Sequence, residues 1–134
     1  EVHNGSSPRP ELIGKLDRVI CDAPCSGLGV IAKKPDLRLK TPGDISRLPE
    51  IQYNILKASA RYLRPGGTLI YSTCTLNRAE NQEVTQRFME EHSDEFIRVP
   101  LGVIPGEDDV CERTIMPYEF GSDGFFIAKF RKKI

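Results

Sequence analysis

Two short segments of the sequence contain side chains suited to covalent chemistry, Asp22-Ala23-Pro24-Cys25 and Thr73-Cys74-Thr75. A thiolate is a strong, soft nucleophile, and electropositive surroundings activate a thiol by lowering its pKa from about 8.5. Such a thiolate could add to C6 of a pyrimidine, after which C5 could attack an electrophilic methyl group. A carboxyl group near N3 of a cytosine would assist this addition by donating a hydrogen bond or a proton. A base would then remove the C5 proton, and the thiol would be expelled.

The elements around these segments predict how the segments come together. Residues 16–21 are typical of a strand that runs into the first segment, and residues 68–72 are typical of a buried strand that runs into the second. Between them, residues 24–43 are predicted to be irregular. Apolar residues at spacings of three or four then predict an amphipathic helix from an N-cap at Asp44 to about Tyr62.

The second half of the chain continues the alternation of strands and helices. Asn77 and Glu80 have the spacing of a capping box, which predicts a helix from there to about His92. The remaining predictions are a strand over residues 96–100, an acidic, loop-rich stretch over 101–123 and a closing strand over 124–130.

This order predicts an α/β fold with a mostly parallel sheet and helices on its faces. Ligands of such sheets bind beyond the carboxyl ends of the strands. Both segments lie at such ends, so we expect Asp22, Cys25 and Cys74 to meet at one cleft.

The composition fits one globular domain. The chain has 134 residues, 39% of them hydrophobic and 28% charged, and no apolar run reaches the ~18 residues of a membrane helix. Four cysteines without a secretory signal predict free thiols and a cytoplasmic protein, with no membrane partner. The cysteines form no C-x-x-C pair, so no metal site is expected.

Charge is unevenly distributed along the chain. The net charge is zero, but residues 80–112 carry two basic against ten acidic residues, and residues 9–40 carry seven against four. A basic loop in the latter stretch contains Lys33, Lys34, Arg38 and Lys40. The loop is either an ordinary solvated surface or a set of phosphate contacts for RNA, and the sequence leaves both interpretations open.

Residues 22–27 and 72–75 resemble the two signature motifs of the Nol/Nop/Sun family of RNA cytosine-5 methyltransferases. Other segments fit the same family: Lys34-Pro35-Asp36, Leu63-Arg64-Pro65-Gly66-Gly67, Glu80-Asn81 and Gly121-Ser122-Asp123-Gly124-Phe125-Phe126. The resemblance covers roughly residues 14–131 and is greatest to the bacterial enzymes that act on small-subunit (16S) ribosomal RNA.

The resemblance implies a Rossmann-like class I methyltransferase fold, with an antiparallel closing strand, that uses S-adenosyl-L-methionine and acts on ribosomal RNA. It implies that Cys74 is the nucleophile and that Cys25 is needed for release of the methylated RNA. It places Asp22 near the methionine end of the cofactor and the target base, with Pro24 shaping that turn.

The family's glycine-rich cofactor loop and its ribose-binding acidic residue have no counterpart in this sequence. The resemblance therefore implies that residues 1–134 are the C-terminal part of a catalytic domain whose cofactor-binding half lies upstream. Asn4 would belong to a remnant of the next cofactor motif. We expect the chain alone to be inactive and to expose a sheet edge that could self-associate.

Two other functions remain open from the sequence. The chain could be a non-catalytic RNA-binding or assembly module whose thiols are structural. It could also be a thiol redox protein, which would require two cysteines within disulfide reach.

Overall fold

The computed structural model describes residues 3–31, 33–39 and 41–134, with the side chains of Arg38, Pro42 and Asp44 excepted. Over these residues the strands are β1 (Leu16–Asp22), β2 (Leu63–Thr73), β3 (Phe96–Arg98), β4 (Glu112–Ile115) and β5 (Phe125–Lys132). The helices are α1 (Pro42–Ile45), α2 (Leu48–Arg61) and α3 (Gln82–His92), with 3-10 turns at Pro10–Leu12, Pro35–Leu39 and Arg78–Glu80.

The strands form one sheet in the order β1-β2-β5-β3, and β4 pairs with β5 as well. The strands β1 and β2 are parallel, whereas β5 is antiparallel to each of β2, β3 and β4. Four strands therefore run in one direction and the last strand runs against them. The predicted α/β fold with an antiparallel closing strand is confirmed, and the reversed strand lies within the sheet rather than at its margin.

The core lies between the sheet and helices α2 and α3. Leu69 and Tyr71, two residues apart on β2, both face this core and are fully buried. Successive side chains of a strand point to opposite faces of the sheet, so every second residue reaches the core. Phe88 from α3 contacts the rings of Phe96 and Phe130 with centroid distances of 5.2 and 5.3 Å. This aromatic cluster lies toward the amino end of the part of β2 that pairs with β5 (Thr68–Thr73), because Phe130 is the register partner of Leu69.

The predicted long helix from Asp44 is interrupted. Asp44 is a helical residue of α1, not an N-cap, and α2 begins separately at Leu48 with Pro49 in its first turn. Proline lacks an amide hydrogen and clashes with the preceding turn, so a continuous helix through Pro49 is disfavoured, whereas a helix that starts there is compatible.

Two strands also differ from the prediction. The strand β2 begins at Leu63 and runs through Pro65-Gly66-Gly67, whereas the predicted strand covers only residues 68–72, and its pairing with β1 is irregular between Leu16 and Arg18. Gly67 passes so close to β1 that a Cβ there would lie 3.1 Å from the Asp17 carbonyl oxygen. The stretch over residues 101–123, predicted as loop, contains β4, a strand that exists because β5 offers it a partner edge.

The strand β1 forms one end of the sheet order in the described part of the chain. Ile20 on this strand is 73% exposed. An apolar side chain beside an unpaired edge is consistent with the predicted self-association, which stays a prediction.

Candidate active site

The two chemistry-bearing segments lie side by side because β1 and β2 are parallel neighbours. Asp22 and Ser72 are register partners at the carboxyl ends of these strands. The Ser72 hydroxyl donates a hydrogen bond to Asp22 Oδ1 at 3.2 Å, and the Ala23 amide donates to the Ser72 carbonyl oxygen at 3.0 Å. The Asp22 side chain is exposed, so its carboxylate is open to a ligand above the strand ends.

The loops beyond these strand ends bring Cys25 and Cys74 into contact, with their Sγ atoms 3.0 Å apart. Both residues are partly buried. Burial, together with the hydrogen bond to Cys74, raises the pKa of Cys25 from 9.0 to about 12. Cys25 therefore carries its proton at neutral pH, and its S–H group can donate to Cys74 Sγ.

Two glycines allow the loop after β1 to approach Cys74. The Gly29 amide donates to the Cys74 carbonyl oxygen at 2.9 Å, and the Gly124 amide donates to the Gly29 carbonyl oxygen at 2.7 Å. A Cβ on Gly29 would lie 2.1 Å from the Gly124 oxygen and 2.8 Å from the Cys74 oxygen. Only glycine fits there, so the start of the closing strand is held directly against the thiol loops.

Glu80 is a buried element of the site, a role that the sequence analysis did not assign to it beyond the capping-box spacing and the family segment Glu80-Asn81. The side chain is fully buried, and its oxygens receive hydrogen bonds at 2.7 to 3.2 Å from the amide and hydroxyl of Ser26 and the side chains of Gln52, Thr75 and Asn77. In a capping box the Glu80 side chain would accept a hydrogen bond from the Asn77 amide. That bond is absent, because the Asn77 amide donates to the Thr75 hydroxyl at 3.2 Å. Glu80 instead connects the two cysteine loops.

A second buried polar group fixes the residues on either side of Cys74. The Thr73 hydroxyl donates to Asn81 Oδ1 at 2.6 Å, and Asn81 Nδ2 donates to the Thr75 carbonyl oxygen at 2.9 Å. Thr73, Thr75 and Asn81 are all buried. Hydrogen-bonded polar groups of this kind stabilise one conformation because each partner left unpaired in the interior is costly.

The other two cysteines lie apart from the thiol pair. Cys21 belongs to the core, and burial raises its pKa to about 11. Cys111 contacts the Asp109 carbonyl oxygen at 3.6 Å.

Among the residues that the structure describes, no group of three His, Cys, Asp or Glu side chains could hold a metal ion. Over the same ranges, no helix has the length and apolar character needed to cross a bilayer.

The basic loop is only partly defined. Lys33 forms an ion pair with Asp123 at 2.7 Å while its side chain stays 72% exposed, and Lys34 is exposed. Arg38 lies in the Pro35–Leu39 turn, but its side chain lies outside the described part of the structure, as does Lys40 altogether. The role of this loop in RNA binding stays a prediction.

The remaining predicted cofactor residues are exposed. Asn4 Oδ1 accepts a local hydrogen bond from the Ser6 amide at 3.0 Å. Pro24 is exposed at the strand end, and its carbonyl oxygen accepts a hydrogen bond from Gln52 Nε2 at 2.9 Å. A cavity of about 480 Å³ lies at the opposite end of the sheet, where Phe96 and Lys132 line it, and it contains none of the predicted site residues.

Two solved structures share this architecture. PH0851 aligns over 94% of this chain and 29% of its own length, with a TM-score of 0.82 and 32% sequence identity. NSun6 from Pyrococcus horikoshii with SFG aligns over 84% and 29%, with a TM-score of 0.69 and 32% identity. The fold is thus that of the C-terminal part of a Rossmann-like class I methyltransferase.

The sequence comparisons then give the family. The family model described as "16S rRNA methyltransferase RsmB/F" matches residues 2–131, and the chain belongs to this family. A probable ribosomal RNA small subunit methyltransferase B of Bacillus subtilis is 48% identical over 126 residues. That match covers 89% of this chain and 28% of the relative, so the chain spans less than a third of the curated protein.

Proposed function

We propose that this chain is the catalytic part of an S-adenosyl-L-methionine-dependent methyltransferase that modifies C5 of a cytosine in small-subunit ribosomal RNA. The observation that carries the proposal is the contact of Cys25 Sγ and Cys74 Sγ at 3.0 Å, at the sheet edge where Asp22 ends β1. The Bacillus subtilis relative, a probable ribosomal RNA small subunit methyltransferase B, supports the ribosomal RNA substrate.

Cys74 acts as the nucleophile in this proposal. Its sulfur would form a bond to C6 of the cytosine, and the C5 carbon that becomes electron-rich would take the methyl group from the cofactor, whose sulfur would leave as a neutral thioether. Loss of the C5 proton to a base and cleavage of the S–C6 bond restore the aromatic ring. Cys25, protonated at neutral pH because its pKa is raised to about 12, donates a hydrogen bond that stabilises a thiolate at Cys74. Cys25 then acts in release of the methylated product.

Asp22 supports both the base and the cofactor in this proposal. Its exposed carboxylate, oriented by the Ser72 hydroxyl, is available to N3 of the cytosine and to the ammonium group of the methionine moiety. S-adenosyl-L-methionine, when bound, supplies the electrophilic methyl group. The residues present suit it in part: Asp22 and Pro24 are exposed at the strand end, and Asn4 is a further proposed contact. The SFG in the NSun6 structure, an analogue of this cofactor, supports the assignment.

The basic loop would supply phosphate contacts. Lys34 is exposed, Lys33 would exchange its ion pair with Asp123 for a phosphate, and Arg38 and Lys40 follow in the same loop. Extrusion of the target cytosine from a folded RNA costs a few kcal/mol, and contacts to the backbone would offset part of that cost.

The test uses a chimera in which this chain replaces the aligned 126-residue segment of the Bacillus subtilis relative. RNA that contains 5-fluorocytosine should form a covalent adduct, because fluorine at C5 prevents the elimination step. Cys74→Ser should form no adduct. Cys25→Ser is the matched control and should accumulate an adduct even with ordinary cytosine.

An adduct that persists in Cys74→Ser would overturn the assignment of the nucleophile. RNA binding without an adduct in any of the proteins would instead favour the non-catalytic RNA-binding module.

A thiol redox function is a second candidate, favoured by the 3.0 Å sulfur separation. In this function hydrogen peroxide would oxidise the two thiols to a disulfide and be reduced to two molecules of water. Titration of free thiols after peroxide treatment, with mass mapping of the linked peptides, tests it. A disulfide that forms readily and is reduced by thioredoxin at a rate typical of exchange proteins would support this function, whereas thiols that resist oxidation would exclude it.

A further inference from the structure

We propose that Glu80 is the positioning residue that holds the Cys25 loop against the Cys74 loop. The catalytic consequence of this role rests on the proposed methyltransferase function, whereas the placement of the two thiols can be tested independently. Glu80 itself touches neither sulfur in the described structure; it acts through the residues next to them.

The contacts of Glu80 reach one residue beyond each cysteine. Ser26, which follows Cys25, donates its amide to Oε1 at 2.8 Å and its hydroxyl to Oε2 at 2.7 Å. Thr75, which follows Cys74, donates its hydroxyl to Oε2 at 3.2 Å. The two hydroxyls also contact each other at 2.8 Å. A movement of either loop therefore breaks at least one bond to the same carboxylate.

Glu80 is itself held in place by the scaffold. The Tyr71 hydroxyl on β2 donates to the Glu80 carbonyl oxygen at 2.6 Å. Gln52 on α2 donates to Glu80 Oε1 at 3.0 Å and to the Pro24 carbonyl oxygen at 2.9 Å. The carboxylate thus transmits the position of a strand and a helix to both loops, which is the arrangement expected of a group that supports reacting side chains.

A carboxylate suits this position because every group facing it is a donor. An ionised carboxylate accepts at both oxygens and donates at neither. The side chain is fully buried, and a buried charge that lost these donors would be strongly destabilised. A glutamine would direct an NH₂ group at donors, so the loops should rearrange around Glu80→Gln.

The experiment measures thiol placement with phenylarsine oxide, which binds two adjacent thiols. Arsenic forms two As–S bonds, and its oxygen leaves as water with the two thiol protons. We expect the 134-residue chain to bind one equivalent through Cys25 and Cys74 and to lose this capture in Cys25→Ser. Glu80→Gln should lose most of the capture while both thiols still react singly with iodoacetamide. Glu83→Gln, an exposed residue of α3, is the control and should behave as the unmodified chain.

Circular dichroism and the thermal midpoint show whether each variant is folded. If Glu80→Gln does not fold, Ser26→Ala decides the question, because it removes one hydroxyl from the same network. Capture at the unmodified rate by a folded Glu80→Gln, or by Ser26→Ala where Glu80→Gln is unfolded, would overturn the proposal.

A second measurement tests the catalytic consequence in the chimera described above. A positioning role predicts that Glu80→Gln lowers kcat about 100-fold, because a displacement near 1 Å has that cost, while KM for RNA changes little. An equal kcat would overturn the catalytic part of the proposal. If Cys74→Ser remains active, the proposed nucleophile fails, but the arsenic capture still reports whether Glu80 places the thiols.

Discussion

The two ends of the sheet differ in what fills the interior. At the amino end of β2, Phe88, Phe96 and Phe130 form an apolar aromatic cluster. At the carboxyl end Phe126 is buried as well, but beneath the thiols lies a cluster of buried polar side chains: Ser26, Gln52, Thr73, Thr75, Glu80 and Asn81. Apolar contacts tolerate small shifts, whereas hydrogen bonds depend on distance and angle. We therefore expect the apolar end to contribute more to stability and the polar end to hold one arrangement of the loops.

Removal of the aromatic cluster should have the largest effect on stability. Phe88→Ala deletes a fully buried ring and should lower the free energy of unfolding by about 3–5 kcal/mol, as measured by urea unfolding followed by circular dichroism. Ile97→Ala, at a position 43% exposed, is the control. A loss for Phe88→Ala no larger than for Ile97→Ala would contradict the division of roles between the two ends.

Removal of one hydroxyl at the polar end should have a smaller effect on stability but a clear effect on the thiols. Thr73→Val keeps the shape of the side chain but leaves Asn81 Oδ1 without its donor at 2.6 Å. We expect a loss of about 1–3 kcal/mol in the free energy of unfolding and slower capture of phenylarsine oxide. Thr68→Val, on the same strand and only partly buried, should change neither quantity. Equal effects of the two variants would show that the polar end does not control thiol placement.

The raised pKa values of two thiols predict that the free energy of unfolding depends on pH in the alkaline range. Burial raises the pKa of Cys21 to about 11 and that of Cys25 to about 12, both well above the ordinary pKa of a thiol. Above about pH 9 the unfolded chain releases these protons while the folded chain keeps them, so the free energy of unfolding falls as pH rises toward 11–12. Unfolding midpoints between pH 8 and 10.5 measure this slope. Cys21→Ala and Cys25→Ala should each make the slope shallower, and an unchanged slope would refute the assignment.

The exposed ion pair beside the site should contribute least to stability. Lys33 and Asp123 are 2.7 Å apart, but the lysine side chain is 72% exposed. Lys33→Ala should lower the free energy of unfolding by about 0.2–1 kcal/mol, less at high salt.

Lys34→Ala tests whether the basic loop contacts RNA phosphates. In the chimera it should weaken binding to all sequences alike and reduce the salt slope by about 1. An unchanged salt slope would indicate that this lysine is only solvated.

Much of the site could be predicted from local patterns. Residues 16–21 and 68–72 have strand composition, and each is followed by a segment with a cysteine, so their parallel pairing brings Asp22, Cys25 and Cys74 to one edge. Glu80 could not be recognised this way, because an acidic residue three positions after Asn77 is equally typical of a helix cap. Its burial depends on Ser26 and Gln52, residues 54 and 28 positions away in the chain.

Residue types and short spacings were enough to predict the alternation of strands and helices, the chemistry of the two cysteines and the family to which the chain belongs. Three features became visible only in the folded chain: β5 lies between β2 and β3, β4 forms on its free edge, and Glu80 connects the two thiol loops. These features depend on contacts between residues distant in the chain, and a short-range pattern carries no information about which partners will be close after folding.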